Sequence, residues 1–593
     1  MAATQNKVSF NYYPVGSGHA VRPPSISAKT GVEHMTRNLT ELDQRIRQVT
    51  QQCPFAVHWQ VRDIATGQHI GHEDRQVLGS FSTRKVSILL ACLALVREDK
   101  LSLEDSFVIT EELKDGVQAG IMRNLSAGIA LSLHDHLAQM MITSDNICTQ
   151  LVFQAIEDAT GNALQWVNDY CAQVGMFDTL HREVFPRSGD LEWHHSIEGM
   201  TVTSAHDQAL LLERLARGYC DEAAAIELGL TQELCKFVIE LMGHIYTPLL
   251  GAHLTKGRFV EKNGRGIRGL SQVGLLLDED DVPVASVAIF AESIPVQLLD
   301  RTPGRNSARE MFMDVGQLLE AFYLGGSFEP VARPEAVPPD YWEQECGELL
   351  CDVEDGRAVN ESMVFTFSGI GKLFLAYTLN ELGHQRPELL REMLQITAQH
   401  RALADTGTLR HLTGDVQVSL DDAVRLMIGS GDGAATRAIL DHLEAAGIDI
   451  LESARQSFAH LESTTITGLE NRSAGDGLTG TTTGADVRAL LREIIDANGT
   501  VLEWMSATFE PAGLASALPG YGPHTVEHWT VSDWSGLESL YPDEGRTSVL
   551  ILQCPRGKGP VGMVSHAPAG TQQVSAKFGS VGLSTYAYEQ FAN

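Results

Sequence analysis

Positive charge is scarce in this sequence. Its 593 residues include 44 Lys or Arg and 76 Asp or Glu, and the formal net charge at pH 7 is −32. Nucleic acids and anionic membranes are bound through clustered Lys and Arg side chains, so this balance argues against both classes of partner. The acidic excess favours solubility and says little about the fold.

Long apolar runs are missing as well. The longest, residues 86–96, is far shorter than the roughly 20 residues that a membrane helix needs. The first residues, MAATQNKVSFNYYPVGSGHA, lack the apolar segment of a secretory signal. The nine cysteines are scattered singly, without the spacing of a disulfide framework. We therefore expect a cytoplasmic protein, although a mature form that had lost its signal would look the same.

The length predicts more than one domain, because a single core rarely exceeds about 300 residues. Residues 1–35 are rich in Gly, Pro and Ser and predict an N-terminal arm. Four prolines within GGSFEPVARPEAVPPD would stop any helix, so we predict a linker at residues 326–340. The domains on either side would then be residues 36–325 and 341–593.

The pattern of apolar residues changes along the first domain. Helical periodicity begins near Thr36, and residues 55–63 and 67–72 alternate like two strands around a turn. A helix-rich stretch reaches about residue 245 and is followed by two β-rich runs within residues 273–293. Strands that return from far along the chain predict one sheet flanked by helices.

The chain beyond the linker repeats the first domain. MVFTFSGIGKLFLAYTL echoes QVLGSFSTRKVSILLACLAL, VSLDDAVRLMIGSGDGAATRAIL echoes LSLHDHLAQMMITSDNICTQLVF, and GLTGTTTGADVRALLREI echoes EGMTVTSAHDQALLLERL. The interval from Ser82 to Ser144 is 62 residues, and that from Gly369 to Ser430 is 61. Three echoes in one order at matching intervals predict a tandem duplication.

A serine and a lysine stand three residues apart at the head of the run FSTRKVSILLACLALV. On a helix running to about Arg97, Ser82 and Lys85 would share one face. A serine needs an adjacent base to act as a nucleophile, and lysine can be that base when burial and a nearby cation lower its pKa. The alternative is an N-capping serine beside a solvated lysine, because Ser-x-x-Lys alone is common.

Two further motifs accompany this pair. The tripeptide S-D-N at residues 144–146 offers a second hydroxyl that can relay protons and an amide that can hold a carbonyl. The tripeptide K-N-G at residues 262–264 lies on a predicted strand, where lysine adds positive charge and glycine lets a backbone N–H approach closely. The alternatives are a turn with an N-cap for the first and an edge-strand lysine before a glycine turn for the second.

S-x-x-K, S-D-N and a variant of K-[ST]-G in this order resemble the signature of class A β-lactamases and penicillin-binding proteins. The resemblance covers residues 36–325 well and the rest as a degenerate second copy. It implies an α/β (α+β) fold of two tandem β-lactamase/transpeptidase-like domains. Each would have an antiparallel sheet flanked by helices and a helical subdomain.

The resemblance also implies roles for individual residues. These are Ser82 as the acylated nucleophile, Lys85 as its base, Ser144 as the proton shuttle, Asn146 as the ligand of the acyl amide and Lys262 as electrostatic support. The backbone N–H groups of Ser82 and Arg265 would form the oxyanion hole, with Gly264 allowing the close approach.

Two departures from the family pattern limit what the resemblance implies. Asn263 replaces the Ser or Thr that grips a substrate carboxylate, and either Arg265 or Arg268 could bind an anion instead or be a solvated strand charge. The loop LHREVFPRSGDLEWHHSIEG has Glu183, Glu192 and Glu198 but no Asn four residues after any of them. Efficient β-lactam hydrolysis is therefore not expected, and the acyl group would pass slowly to water or to another nucleophile such as an amine.

The second copy is predicted to be inactive. Alignment on Lys372 puts Gly369 at the nucleophile position, whereas alignment on Phe-Ser puts Ser368 there with its lysine four residues on. The next motif reads S-G-D at residues 430–432, with a carboxylate in place of the amide. Beyond residue 340 the lysines are Lys372, Lys558 and Lys577, and Asp533 stands about where the third-motif lysine should be. We expect a structural or dimer-like role for this half.

No metal or cofactor is expected, because His194-His195 and the HDH at residues 134–136 lack any zinc-binding pattern. The leading hypothesis is a serine acyl-transfer enzyme, that is an amidase, esterase or transacylase acting on a small amide, ester or lactam. Its partners would be that acyl donor and an amine or alcohol acceptor, with the two domains packed together, in specialised-metabolite biosynthesis. The alternatives are a true β-lactamase or D,D-peptidase and a non-catalytic scaffold.

Overall fold

The computed structural model describes most of the chain after residue 37. The described residues are 38–185, 192, 194–299, 303–328, 350–353, 356–470, 477–508, 513–518, 527–532, 534–535, 538–539, 545–553, 560–571, 582–583, 586 and 588–592. The predicted arm and most of the predicted linker lie outside the described residues.

A five-stranded antiparallel sheet organises the first half, in the order β2-β1-β9-β8-β7. The strands of this half are β1 (Ala56–Asp63), β2 (His69–His72), β3 (Leu78–Gly79), β4 (Ser106–Val108), β5 (Ala130–Ser132), β6 (Val202–Thr203), β7 (Arg258–Arg265), β8 (Leu270–Leu277) and β9 (Pro283–Glu292). The predicted strand pairs at either end of this half are therefore confirmed, and β7 is an edge strand.

Helices cover both faces of this sheet. They are α1 (Leu39–Thr50), α2 (Lys85–Arg97), α3 (Leu133–Ile142), α4 (Asn146–Thr160), α5 (Ala163–Gln173), α6 (Ala205–Cys220), α7 (Glu222–Glu227), α8 (Gln232–Gly243) and α9 (Gly304–Leu324). Side chains alternate between the faces of a strand, so on β8 Val273 and Leu275 join the core with α2, whereas Leu276 joins the core with α1 and α9. Burial on both faces explains the apolar run from Val273 to Leu277 in this strand.

The second half repeats the arrangement with a five-stranded antiparallel sheet in the order β11-β10-β21-β20-β17. Its strands are β10 (Leu350–Val353), β11 (Ala358–Val359), β12 (Val364–Thr366), β13 (Met393–Ile396), β14 (Val416–Ser419), β15 (Thr465–Glu470), β16 (Gly477–Thr483), β17 (His528–Ser532), β18 (Trp534–Ser535), β19 (Glu538–Ser539), β20 (Arg546–Leu552) and β21 (Val561–Ala567). Its α-helices are α10 (Gly371–Gln385), α11 (Ala398–Ala402), α12 (Leu420–Ser430), α13 (Gly433–Ala445), α14 (Ile450–Ser457), α15 (Gly484–Ala497) and α16 (Thr500–Met505).

The two sheets use the same order of connection, since two strands near the start of each half pair with strands from its end. The predicted α/β (α+β) class, with antiparallel sheets and flanking helices, is confirmed. In the part of the chain that the structure describes, no helix is long and apolar enough to cross a membrane.

Candidate active site

Ser82 lies on a tight turn directly before a buried helix. Residues Phe81–Arg84 form a single 3-10 turn, and α2 begins at Lys85. Phe81 has a φ of 45°, a strained value for a residue with a side chain, which occurs mainly where the surroundings impose it. Its ring lies so close to Gly266 and Gly269 that a Cβ at either position would collide with it. The strained turn leaves Ser82 half-buried at the start of the helix.

Lys85 is only 1% exposed and is held by the second motif. Its Nζ donates to the carbonyl oxygen of Ser144 at 2.5 Å and to Oδ1 of Asn146 at 2.7 Å, and lies 3.2 Å from the Ser144 hydroxyl. Burial, and next the charge of Arg84, lower the pKa of Lys85 to about 7. A large share of this amine is therefore neutral near neutral pH, which is the state that a general base requires.

The turn that carries Ser144 is shaped by Asp145. Ser144 adopts a φ of 56°, and the Asp145 side chain caps α4 by accepting the Cys148 backbone N–H at 3.0 Å and the Met122 N–H at 2.9 Å. Gly120, at a φ of +100°, passes so close that a Cβ there would collide with this carboxylate. The predicted N-cap is thus present at the middle residue of this tripeptide, and the relay by Ser144 stays a prediction.

Lys262 and Gly264 lie on β7 beside the nucleophile turn. Lys262 is fully buried, and its Nζ donates to the carbonyl oxygen and Oδ1 of Asn263 at 3.1 and 3.0 Å. Burial, and then the charges of Lys85 and Arg265, hold its pKa well below the usual range. A Cβ on Gly264 would approach the Ser80 carbonyl oxygen and the Phe81 side chain. Glycine therefore permits the close contact between this strand and the turn of Ser82.

Asn263 and Arg265 converge on one residue that the sequence did not suggest. The Thr247 hydroxyl oxygen accepts from Asn263 Nδ2 at 2.7 Å and from Arg265 Nη2 at 3.1 Å. Arg268 is placed differently, since its guanidinium contacts the His194 ring at 3.1 Å and the Ser293 carbonyl oxygen at 3.3 Å. Arg265, one of the two candidate anion-binding arginines, therefore shares a hydrogen-bond acceptor with Asn263 of the third motif.

Arg84 is the second residue that sequence reasoning missed. It is 2% exposed and donates to both the carbonyl and the carboxylate of Glu183, to the Val184 carbonyl and to the Thr201 hydroxyl, at 2.6–3.1 Å. Burial lowers its pKa to about 10, so it still carries a positive charge at neutral pH. Arg84 ties the loop after α5 to the nucleophile turn. The other two glutamates of that loop, Glu192 and Glu198, are exposed.

The second half keeps the frame of this site in a register that corrects the sequence alignment. Asp432 caps α13 by accepting the Ala435 N–H at 3.0 Å. It also accepts the Thr408 and Leu409 N–H groups at 2.8 and 2.9 Å, and a Cβ on Gly407 would collide with it. Asp432 is therefore the counterpart of Asp145, and each lies 60 residues after its lysine, Lys372 or Lys85. The sequence alignment on Ser430 had placed Asp432 opposite Asn146, and that pairing was wrong.

In this register glycine occupies three positions that carry reacting groups in the first half. The pairs are Ser82 with Gly369, Ser144 with Gly431, and Asn146 with Gly433. The φ of Gly431, 58°, matches the 56° of Ser144, which supports the pairing. Asp533, Lys558 and Lys577 lie outside the described residues, so the prediction for the third motif stays a prediction.

Cys148 lies two residues after Asn146 and is buried. Burial, and next the Asp145 charge, raise the pKa of the Cys148 thiol well above its usual value, so it packs as a neutral core group. Among the described residues, no group of three or more His, Cys, Asp or Glu side chains is placed to hold a metal ion.

Comparisons with known proteins give one family and several similar structures. A model described as "Beta-lactamase enzyme family" matches residues 41–323 and again residues 339–558. A beta-lactamase from Sphaerobacter thermophilus is 19% identical with a TM-score of 0.41, and the match covers 49% of this chain and 100% of that one. A structure of PBP-A is 20% identical with a TM-score of 0.39, covering 47% and 95%. A beta-lactamase from Chitinophaga pinensis is 16% identical with a TM-score of 0.40, covering 47% and 98%. No curated protein matches the chain. The double family match confirms the tandem duplication.

Proposed function

Because this chain belongs to the beta-lactamase enzyme family, we propose that it is a serine acyl-transfer enzyme whose first half reacts through Ser82. The family is one of β-lactamase/transpeptidase-like serine hydrolases. The acyl donor in this proposal is a small amide, ester or lactam, and the acceptor is water, an amine or an alcohol. We further propose a cytoplasmic location and a role in specialised-metabolite biosynthesis, since a cytoplasmic enzyme does not meet cross-linked peptidoglycan.

The observation that carries the proposal is the environment of Lys85. A neutral amine has two N–H donors and one lone pair, and the Ser144 carbonyl and Asn146 Oδ1 accept two donors. The lone pair is then available to take a proton. No charge-balancing carboxylate accepts a hydrogen bond from Nζ in the described part of the chain, so the lysine is not locked in its charged form as in an ordinary buried ion pair.

The proposed reaction moves two protons through Lys85. Ser82 Oγ attacks the carbonyl carbon of the donor, and its proton passes to Lys85. The Ser144 hydroxyl then gives its proton to the leaving group and is reprotonated by Lys85, which leaves an ester on Ser82 and a neutral lysine. Lys262 adds positive charge beside the reacting groups. An acceptor then attacks the ester and releases Ser82.

The test is covalent labelling read by intact mass. The wild-type protein is incubated with a neutral fluorophosphonate ester or with penicillin G, and one adduct per chain is expected. Ser82→Ala should form none, whereas Ser368→Ala, at the corresponding turn of the second half, should label like wild type. An adduct that survives Ser82→Ala would contradict the nucleophile assignment, and no adduct on wild type would favour the scaffold alternative.

The fate of the adduct distinguishes hydrolysis from transfer. Because no Asn follows Glu183 by four residues, we expect the penicilloyl ester to persist in buffer and to leave faster when amines or alcohols are added. Rapid loss in buffer alone, with turnover of penicillin, would support the alternative of a true β-lactamase.

A further inference from the structure

Two hydrogen bonds run from side chains of the first half to backbone carbonyl oxygens of the second half. The Tyr246 hydroxyl donates to the Ser430 carbonyl oxygen at 2.6 Å, and the Gln139 side-chain amide donates to the Thr408 carbonyl oxygen at 3.2 Å. Both acceptors lie next to Asp432, the capping residue that the second half retains: Thr408 donates its own N–H to that carboxylate, and Ser430 is two residues before it.

These contacts belong to an interface that uses the same surface of both halves. Asp135 accepts from the backbone N–H and hydroxyl of Thr413 at 2.8 and 2.9 Å, and Asp422 accepts from those of Ser126 at 2.8 and 3.1 Å. Asp135 and Asp422 each lie 50 residues after the corresponding lysine, and Ser126 and Thr413 each lie 41 after it. Such reciprocal pairing is the pattern of a two-fold dimer, here within one chain. The relative placement of Tyr246 and Ser430 is thus fixed by contacts on both sides.

Tyr246 connects this interface with the third motif. Its backbone N–H donates to the Ile142 carbonyl oxygen at 3.0 Å, so the residue is held at both its backbone and its hydroxyl. The next residue, Thr247, is buried and accepts from Asn263 and Arg265. A displacement of Tyr246 would therefore move the Thr247 hydroxyl oxygen, to which the side chains of Asn263 and Arg265 both donate.

We propose that the second half sets the specificity of the first by holding Tyr246, which positions Thr247 and through it the Asn263 and Arg265 groups that bind a carboxylate on the acyl donor. Tyr246 is a positioning residue and takes no part in the chemistry at Ser82. The proposal rests on the proposed acyl transfer at Ser82.

The test compares two probes on Tyr246→Phe, which removes only the hydroxyl. Penicillin G carries a carboxylate and a fluorophosphonate ester carries none, so the variant should bind penicillin about tenfold more weakly and react with the fluorophosphonate at the wild-type rate. The matched control is Tyr170→Phe, which removes a buried hydroxyl that donates to the Leu228 carbonyl at 2.9 Å within the first half. It should leave both rates unchanged.

A second variant makes the test independent of how Tyr246→Phe folds. Thr247→Val removes the shared oxygen while keeping the side-chain shape, and it should give the same selective loss of penicillin binding. If both variants fold, their combination should cost no more than Thr247→Val alone, because they act through one oxygen.

The failures are distinguishable. If wild type reacts with neither probe, the proposed function is wrong. If wild type reacts with the fluorophosphonate but not with penicillin, or if Tyr246→Phe slows both probes equally or neither, acyl transfer at Ser82 stands and the positioning proposal is overturned. Loss of penicillin binding in Thr247→Val with no change in Tyr246→Phe would place the effect at Thr247 and exclude the second half.

Discussion

The two halves of this chain share a frame and differ in the groups that could react. Both retain a lysine at the start of a buried helix and an aspartate that caps the helix following the S-D-N or S-G-D motif. Glycine takes the place of Ser82, Ser144 and Asn146 in the second half. The residues that are common to both halves are those that the fold requires, since each aspartate satisfies backbone N–H groups that would otherwise be buried without partners.

The comparison separates the structural residue of the S-D-N motif from the two residues that contact Lys85. In S-D-N, the aspartate meets a structural demand that the second half also has, whereas the serine and the asparagine contact Lys85 and have no counterpart there. Ser144 even adopts a backbone conformation that glycine would adopt at lower cost. Stability therefore does not explain the serine, and the proposed reaction does.

The largest expected difference between the two halves is the effect of replacing their lysines on the labelling rate. Lys85→Met should slow fluorophosphonate labelling of Ser82 by about 100-fold to 10,000-fold, the range for loss of a general base. Lys372→Met should leave the labelling rate unchanged, because its half has no serine at the matching position. Comparable slowing by both variants would show that the second lysine also serves the reaction.

The pH dependence of labelling tests a second difference between the halves, the arginine beside the lysine. Lys85 acts in its neutral form and has a pKa of about 7, so the rate should fall about tenfold for each pH unit below 7 and level off above about pH 8. Arg84 lowers that pKa, and its counterpart in the second half is Gly371. Arg84→Gln should therefore move the inflection to higher pH, as measured by labelling rates between about pH 5 and pH 9. An inflection at the same pH as in wild type would contradict the claim that Arg84 lowers the pKa of Lys85.

The sequence predicted the elements and the local motifs well, and it failed where the information lies in long-range contacts. The helix α2 and the strand of Lys262 follow from periodicity and spacing, whereas the 3-10 turn that holds Ser82 was not predicted, since Ser82 was expected in the helix itself. The contacts of Arg84 with residues about 100 positions away, and of Thr247 with Asn263 and Arg265, leave no periodic signal in the chain.

The alignment of the second motif failed for a related reason. Matching Ser430 to Ser144 pairs two serines, but a helix cap is defined by which side chain accepts the free N–H groups, and that residue is Asp432. The closely packed glycines confirm the corrected register, because Gly120 and Gly407 approach the two aspartates in the same way.

The same pair of glycines gives a stability prediction of intermediate size. At either position alanine would combine a positive φ with a collision against a capping aspartate, so Gly120→Ala and Gly407→Ala should each lower the free energy of unfolding by about 2 kcal/mol or more. Gly128→Ala, at a φ of +97° with open space around it, is the control and should cost only the backbone strain of about 1 kcal/mol. Only Gly120→Ala should also slow labelling. Denaturant unfolding separates these values, and equal losses for all three variants would contradict the equivalence of the two caps.

The smallest effect comes from exchanging the residues at the two matching turns. Ser144→Gly should raise the free energy of unfolding by up to about 1 kcal/mol, since glycine adopts the φ of 56° without strain, yet it should slow labelling because the relay hydroxyl is gone. Gly431→Ser should lower the free energy of unfolding by about the same amount, which is the backbone strain alone, because its Cβ would meet the Lys372 ammonium at an ordinary contact distance. It should create no second labelled site. If the two halves share a frame and only the first reacts, the two variants should change stability in opposite ways. Ser144→Gly should lose labelling activity, and Gly431→Ser should gain none. If Ser144→Gly were destabilising, the serine would have a structural role and the separation between frame and chemistry would fail at this residue.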